Sequence, residues 1–250
     1  MLSIATVVLN DPVGIKRTID SVKYHKERGV KIQFLVADGG SEESTLNIAY
    51  ENRDIIDVFI NGPDEGIYDG MNKLLKAANG ISIIFINAGD RLSVDIDLNF
   101  IMKHYDLKKN NYYGRVLQYF KDDYFIRERS LQNKVKLKDI SHQAFFVPKI
   151  IYKNTLYDLN YGVSSDRFWI NECVQKGKTF YIDEVISIFE LGGISNSSSL
   201  KSLYSKLREK SSTTKKCLQL IKLILRVLSS QSLYYRIIYY FKYKHFKKNI

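Results

Sequence analysis

The sequence predicts an α/β fold: a mostly parallel central sheet flanked by helices, followed by a basic, amphipathic helical extension at the C-terminus. Apolar, β-branched runs alternate with segments of helix-spaced apolar residues over the first third of the chain, which is typical of βαβ units. The hydrophobic content of 45% is sufficient to fill the core of such a domain. The extension is indicated by residues 201–250, which contain 13 lysines and arginines and a single acid, Glu209.

The first seven elements are predicted from apolar runs for the strands and from period-3.6 spacing for the helices. In chain order they are a strand at 3–9, a helix at 14–27, a strand at 32–37, a helix at 43–52, a strand at 57–60, a helix at 66–79 and a strand at 81–86. Because a helix separates each strand from the next, we expect parallel strands joined by right-handed crossovers.

The character of the chain changes after Asp90. The predicted elements there are a helix at 95–106, hairpin strands within 112–128, a short helix at 149–155, a helix at 165–176 and late strands at 179–182 and 185–189. Ser164 or Ser165 is the expected N-cap of the helix at 165–176, and Gly177 is expected to end it. A polar linker at 196–199 divides the chain into a predicted domain at 1–195 and a tail at 196–250.

Composition restricts the class of protein. The two cysteines, Cys173 and Cys217, form no CxxC pair, which disfavours a disulfide framework or a cysteine-based zinc site and indicates a reducing compartment. The N-terminus lacks the pattern of a signal peptide, and no apolar run reaches the roughly 20 residues of a spanning helix. We therefore expect a cytoplasmic protein.

Aspartates follow two of the predicted strands. Asp38 begins the turn Asp38-Gly39-Gly40-Ser41, and Asp90 ends the turn Asn87-Ala88-Gly89-Asp90. Open α/β sheets bind ligands at the carboxyl ends of their strands, and carboxylate oxygens are the ligands that Mg²⁺ and Mn²⁺ prefer. The pattern thus predicts a nucleotide- and metal-binding enzyme. The alternative is structural, because Asn, Gly and Asp also favour simple turns and helix caps.

Together with other motifs, these turns resemble family 2 glycosyltransferases of the GT-A fold, a Rossmann-like α/β fold, and in particular bacterial members that build surface polysaccharides. The resemblance extends over about residues 1–195. It rests on the first strand and on six motifs, which are Val36-Ala37-Asp38-Gly39-Gly40-Ser41, the stretch 64–73 (DEGIYDGMNK), Phe85-Ile86-Asn87-Ala88-Gly89-Asp90, Ser141-His142-Gln143-Ala144-Phe145-Phe146, Ser165-Asp166-Arg167-Phe168-Trp169 and Leu191-Gly192-Gly193-Ile194-Ser195.

The resemblance implies a role for each matching residue. Asp90 would bind a Mn²⁺ or Mg²⁺ ion that bridges the donor diphosphate, and Asp166 would be the general base of an inverting displacement. The remaining donor-site residues would contact the nucleobase, ribose or phosphates; they are Leu9, Asp38, Asp64, Asn72, Asn87 and Ala88. Without the resemblance, Asp166 is better explained as an acid that stabilises the first turn of a helix.

One motif departs from the family pattern. The usual Asp-x-Asp element keeps only its last carboxylate here, because Asn87 stands where a charged residue would be expected. An amide oxygen can accept a hydrogen bond but contributes no charge, so a second carboxylate would have to come from elsewhere in the chain.

Three further residues are weaker candidates for the site. His142 could contact the diphosphate or the acceptor, Trp169 could stack on an acceptor sugar, and Tyr68 could line the donor site. Each also has a structural alternative, since a single His before an apolar strand, or an aromatic residue at helical spacing, is commonly part of a core.

The tail combines basic and aromatic residues at helical spacing, which suits the surface of an anionic membrane. The alternative is that the tail packs on the domain or pairs in a homodimer. With the resemblance, it suggests a peripheral protein on the inner face of the plasma membrane and an acceptor saccharide carried on a polyprenyl diphosphate.

The leading hypothesis is an inverting, metal-dependent hexosyltransferase that uses a nucleotide-diphosphate sugar, with a UDP-sugar as the expected donor, in O-antigen, capsule or exopolysaccharide synthesis. Three alternatives are a catalytically silent relative acting as a partner subunit, a basic nucleic-acid-binding protein and a nucleotidyltransferase. The last two are disfavoured, because no nucleic-acid motif and no basic, glycine-rich phosphate loop is present. We therefore expect no nucleic-acid partner.

Overall fold

The computed structural model describes residues 1–120, 123–126 and 137–190. The motif at Leu191–Ser195, the linker and the basic tail lie outside these residues. The chain separates into two compact units, one made of Met1–Leu117 with Glu128–Phe189 and the other of Gln118–Arg127 with Glu190–Ile250. All the predicted site residues belong to the first unit, and the predicted boundary at residue 195 stays a prediction.

The strands in the described ranges are β1 (Leu2–Val8), β2 (Ile32–Asp38), β3 (Val58–Asn61), β4 (Ser82–Phe85), β5 (Arg91–Leu92), β6 (Asn111–Phe120), β7 (Asp123–Ile126), β8 (Phe145–Pro148) and β9 (Thr179–Glu190). The helices are α1 (Pro12–Glu27), α2 (Glu43–Glu51), α3 (Ile67–Ala77), α4 (Leu98–His104), α5 (Lys149–Tyr152) and α6 (Ser165–Lys176). No helix in these ranges is both long and apolar enough to cross a lipid bilayer.

The strands form one sheet in the order β3-β2-β1-β4-β8-β6-β9-β5, and β7 pairs with β6. The pairs β1–β2, β2–β3 and β1–β4 are parallel, as the alternation of strands and helices predicts. β4–β8, β6–β8 and β5–β9 are antiparallel. The α/β fold class is thus confirmed, with the parallel half of the sheet formed by the first four strands.

Two apolar clusters cover the sheet, one on each face. On β1, Ile4 and Val8 belong to one cluster, whereas Ala5 and Val7 belong to the other. This division follows from the period of two along a strand. It also explains why β1 is buried along its whole length and reads as a continuous apolar run.

Two late predictions need correction. The strands predicted at 179–182 and 185–189 are one strand, β9, because Asp183 and Glu184 continue it without a turn. Gly177 follows α6 as predicted, but its φ of −158° is extended rather than left-handed. A Cβ on Gly177 would lie 2.5 Å from Ile151 Cδ1, so a side chain there would have to displace the end of the Ile151 side chain.

Candidate active site

The parallel register places the predicted donor-site turns side by side. Val8, at the end of β1, is paired with Asp38 at the end of β2. On the other side of β1, the N–H of Ala88 donates to the carbonyl of Val7 over 3.2 Å. The turns at 38–41 and 87–90 therefore flank the carboxyl end of β1, and the next residue along, Leu9, is 51% exposed there.

Asp38 has one carboxylate oxygen occupied and one without a partner. Oδ1 accepts hydrogen bonds from the N–H groups of Gly40, at 2.9 Å, and Ser41, at 2.6 Å. Oδ2 is buried and has no partner in the structure. Because a buried carboxylate oxygen without a partner is costly, Oδ2 is suited to accept a hydrogen bond from a ligand.

Asp64 lies against the same turn. Its Oδ1 accepts the N–H of Gly66 at 2.9 Å. A Cβ on Gly39 would lie 2.8 Å from Asp64 Oδ2, and a Cβ on Gly70 would lie 3.1 Å from it. The two glycines therefore allow the Asp64 carboxylate to approach the turn that follows Asp38.

Asn72 contacts the main chain of the segment that leads to α6. Its Nδ2 donates to the carbonyl of Tyr157 at 2.9 Å, and its Oδ1 accepts the Tyr157 N–H at 2.8 Å. The amide thus clamps Tyr157 in place. A contact between Asn72 and the donor stays a prediction, and the contacts in the structure are structural.

An aromatic stack lies next to this clamp. The ring of Tyr157 stacks on Tyr68 on one side, with centroids 5.3 Å apart, and on Trp169 on the other, at 4.8 Å. Trp169 is buried and its Nε1 donates to the carbonyl of Thr155 at 2.9 Å. Trp169 therefore packs in the core, as its structural alternative predicts. A buried ring offers no face to an acceptor sugar.

Tyr68 joins helix α3 to the segment that precedes α6. Its hydroxyl donates to the carbonyl of Val163 at 3.2 Å. Burial raises the pKa of Tyr68, and the negative charge of Asp166 raises it further. Tyr68 therefore stays a neutral hydrogen-bond donor beside Asp166.

Asp90 is the most enclosed acid of the site, with 4% of its surface exposed. Gln143 Nε2 donates to its Oδ2 at 3.3 Å, and Thr18 Oγ1 donates to its main-chain carbonyl at 2.6 Å. Burial raises the pKa of Asp90 well above the ordinary value, although the hydrogen bond from Gln143 opposes this shift. A bound cation would favour the ionised form instead.

The turn at 87–90 offers oxygen atoms that fit a divalent cation. Besides the Asp90 carboxylate, Asn87 Oδ1 is buried and without a partner. Asp11 brings a second carboxylate close, since a Cβ on Gly89 would lie 4.0 Å from Asp11 Oδ2. Within 1–120, 123–126 and 137–190, no group of three or more His, Cys, Asp or Glu side chains could enclose a metal by itself. The set therefore suits a cation that phosphate oxygens also coordinate.

Asp166 lies at the start of α6 and faces His142. His142 Nδ1 is 3.6 Å from Asp166 Oδ2, and the two side chains are 14% and 34% exposed, respectively. Burial alone would raise the pKa of Asp166, but the close contact and the charge of His142, aided by Arg167, hold the pKa below its ordinary value. Asp166 is thus an ionised carboxylate with partial access to solvent, as a general base requires.

His142 and Gln143 connect the two acids. Gln143 contacts Asp90, while His142 contacts Asp166 through Nδ1 and Asn87 Nδ2 through Nε2, over 3.3 Å. The fourth strand and the sixth helix, far apart in sequence, therefore contribute to one site. Asp90, Asp166 and His142 are all residues that the family resemblance implies for the site.

Three residues that contribute to the site were missing from the prediction: Asp11, Gln143 and Tyr157. Asp11 reads as a helix cap, which it also is, because its Oδ1 accepts the N–H of Gly14 at 2.8 Å. Gln143 could have been found from its place beside His142. Tyr157 carries no local signal, since only the fold brings it to Asn72.

The model of the family described as "Glycosyl transferase family 2" matches residues 3–168. An uncharacterized glycosyltransferase of Mycobacterium tuberculosis is 26% identical over 217 residues, which cover 83% of this chain and 81% of that protein. A PGL/p-HBAD biosynthesis glycosyltransferase of the same species is 27% identical over 208 residues, with coverages of 78% and 79%.

Solved structures of similar fold include S. aureus TarS in complex with UDP-GlcNAc, with a TM-score of 0.63, 14% identity and coverages of 94% of this chain and 75% of that chain. The chain spans 45% of a longer TarS chain, at a TM-score of 0.59. Mannosyltransferase PcManGT from Pyrobaculum calidifontis, in complex with GDP-Man and Mn²⁺, gives a TM-score of 0.58 at 9% identity, with coverages of 97% and 81%.

Proposed function

Because this chain belongs to glycosyl transferase family 2, we propose that it transfers a sugar from a nucleotide-diphosphate donor to a hydroxyl group of a saccharide acceptor, with inversion at the anomeric carbon. The observation that carries the proposal is that Asp90, a candidate cation ligand, and Asp166, a candidate base, belong to one site through the adjacent residues His142 and Gln143. An inverting transfer needs a base on one side of the sugar and a stabilised leaving group on the other.

The donor would bind across the carboxyl ends of β1, β2 and β4. Asp38 Oδ2 would accept a hydrogen bond from the nucleobase, and Leu9 would border the base. A UDP-sugar fits this arrangement, because the uracil ring has one N–H that a carboxylate can bind. The S. aureus TarS complex with UDP-GlcNAc, which shares the fold, supports this choice of donor.

A divalent cation, Mn²⁺ or Mg²⁺, would be held by Asp90, with Asn87 Oδ1 and Asp11 as candidates for additional oxygen ligands. When bound, it would offset the charge that develops on the departing diphosphate. The PcManGT complex with GDP-Man and Mn²⁺ supports metal use within this fold.

Asp166 would remove the proton from the acceptor hydroxyl as that oxygen attacks the anomeric carbon. Partial exposure of Asp166 leaves room for the acceptor on its open side. We further propose that the acceptor saccharide is carried on a polyprenyl diphosphate in bacterial surface-polysaccharide synthesis, with the protein on the inner face of the plasma membrane and its basic tail at the anionic surface.

The test is a donor assay with matched variants. Thermal shift with UDP-, GDP- and dTDP-sugars, with and without Mn²⁺, identifies the nucleotide, and hydrolysis or transfer of that donor is then measured. Asp166→Asn should bind the donor normally but lose roughly 10²–10⁴-fold in turnover. Asp90→Ala should lose the Mn²⁺-dependent part of the thermal shift.

His104→Gln, at an exposed site on α4, serves as the control variant. Full turnover in both aspartate variants would contradict the site assignment. Donor binding without hydrolysis or transfer to any tested acceptor would favour the alternative of a catalytically silent partner subunit.

A further inference from the structure

We propose that His142 is a positioning residue: its imidazole ring contacts Asn87 at one nitrogen and orients the Asp166 carboxylate at the other. The role of Asp166 as the base rests on the proposed function. The pairing of the two side chains does not, because it follows from the geometry of the residues.

The ring of His142 is fixed at both nitrogens. Nε2 lies 3.3 Å from Asn87 Nδ2, and an amide NH₂ group can only donate. Nδ1, the other ring nitrogen, lies 3.6 Å from Asp166 Oδ2. The ring is partly buried, with 14% of the side chain exposed, which restricts other orientations.

The main chain around His142 is also held firmly. His142–Ala144 forms a single 3-10 turn that runs directly into β8, and Ala144 N–H donates to the Ser141 carbonyl at 3.0 Å. The next side chain, Gln143, contacts Asp90. One turn, anchored by a buried strand, therefore sets the positions of both acids relative to each other.

The other groups that face Asp166 explain why His142 is needed. Tyr68 and Tyr157 face it as neutral phenols whose pKa values burial raises, so neither supplies positive charge. Arg167 contributes its main-chain N–H, which donates to Asp166 Oδ1 at 2.7 Å, and a more distant charge. His142 thus provides the main side-chain contact that offsets the burial of the Asp166 carboxylate.

Removal of His142 should shift the pH dependence of the reaction in one direction. His142 lowers the pKa of Asp166, so its removal raises that pKa. The base is active only when deprotonated, and the acidic limb of the pH profile of kcat/KM should therefore move to higher pH. Turnover should fall roughly 10- to 100-fold, whereas the KM of the donor should change little.

Two substitutions of His142 distinguish the contact made by Nδ1 from the contact made by Nε2. In His142→Asn the side-chain amide takes the place of Nδ1 and can still donate to Asp166. In His142→Gln the amide reaches the place of Nε2 and can contact only Asn87. We therefore expect His142→Asn to retain more turnover than His142→Gln, with His104→Gln as the matched control.

The decisive measurement does not depend on activity. The protein is labelled with ¹³C at aspartate Cγ, the signal of Asp166 is assigned by its loss in Asp166→Asn, and its titration is followed by NMR. In His142→Gln the midpoint should move to higher pH, and in His142→Asn it should move less. Circular dichroism and the melting temperature establish that both variants are folded.

An unchanged Asp166 midpoint in folded His142→Gln would overturn the inference. If instead the midpoint moves but no nucleotide sugar is hydrolysed or transferred, the pairing stands and the proposed function fails. A change in donor KM at constant kcat would also overturn the inference. His142 would then act on the donor diphosphate and not through Asp166.

Discussion

Gln143 Nε2 donates a hydrogen bond to Asp90 Oδ2 over 3.3 Å, at a position where 4% of Asp90 is exposed. This hydrogen bond lowers the pKa of Asp90, whereas burial raises it. A bound cation would also favour the ionised carboxylate. The chain therefore holds, directly before β5, a buried acid whose ionised form a bound cation would favour.

Asp90→Asn should stabilise the cation-free protein at neutral pH. The pKa of Asp90 is raised by burial, so its contribution to stability is present below the ordinary value of 3.8 and is lost as pH rises through the higher folded-state pKa. Asparagine has no charge to bury, and the melting temperature should rise by roughly 2–4 °C per kcal/mol gained. Differential scanning calorimetry from pH 5 to pH 8 measures the gain, which should shrink towards acid pH.

The control for this comparison is Asp20→Asn, an exposed acid on α1. Equal melting temperatures of Asp90→Asn and the parent protein at pH 8 would mean that Asp90 is not buried as an acid.

Asp38→Asn should weaken the binding of the donor nucleotide without unfolding the turn. Its Oδ1 can still accept from the N–H groups of Gly40 and Ser41, but an NH₂ group replaces the free Oδ2. Loss of a charge-assisted hydrogen bond costs about 1.5–3 kcal/mol, which corresponds to about a tenfold or greater loss of affinity. Calorimetric titration with UDP measures it, with exposed Asp54→Asn as the control.

Asn72→Ala should destabilise the fold rather than weaken donor binding directly. It removes both hydrogen bonds to the Tyr157 main chain and leaves a buried N–H and carbonyl without partners. The cost is roughly 1–3 kcal/mol for each unsatisfied group, measured by urea denaturation. Asn99→Ala, at an exposed position on α4, is the control. A fully stable Asn72→Ala variant with weakened donor affinity would instead support the contact with ribose or phosphate.

His25→Gln should remove a source of acid instability. Burial lowers the pKa of His25 below 6.5, the carbonyl of Ser93 opposes this, and the charge of Arg28 adds to it. Stability is therefore present above about pH 6.5 and is lost as pH falls towards the folded-state pKa, with a slope of at most about 1.36 kcal/mol per pH unit.

Glutamine can keep the contact that His25 Nε2 makes with the Ser93 carbonyl at 2.9 Å while having no proton to gain. Urea denaturation between pH 5 and pH 7.5 should thus show a shallower pH dependence for His25→Gln than for the parent. An identical pH dependence would mean that other groups cause the acid loss of stability.

The parallel half of the fold could be predicted because its signals are local. β1, β2 and β4 are apolar runs buried on both faces, and Asp11 and Pro12 mark the start of α1. The two-residue strand β5 could not be predicted, since Arg91 and Leu92 form a strand only by pairing with β9. The sequence predicts two strands where the structure has the single strand β9, because the charged pair at 183–184 interrupts the apolar pattern.

The sequence by itself identified the candidate groups: Asp38, Asp90, His142 and Asp166 all stand in motifs that resemble those of the family, since a motif is a local pattern of residue types. The tertiary structure alone decided which side chains are buried and which of them contact one another. It buries Trp169 and pairs the Asn72 amide with the main chain of Tyr157. It also places Gln143 and His142 in contact with Asp90 and Asp166, which are 76 residues apart in the sequence. The physical reason is that burial and pairing depend on contacts between distant segments, which no local pattern specifies.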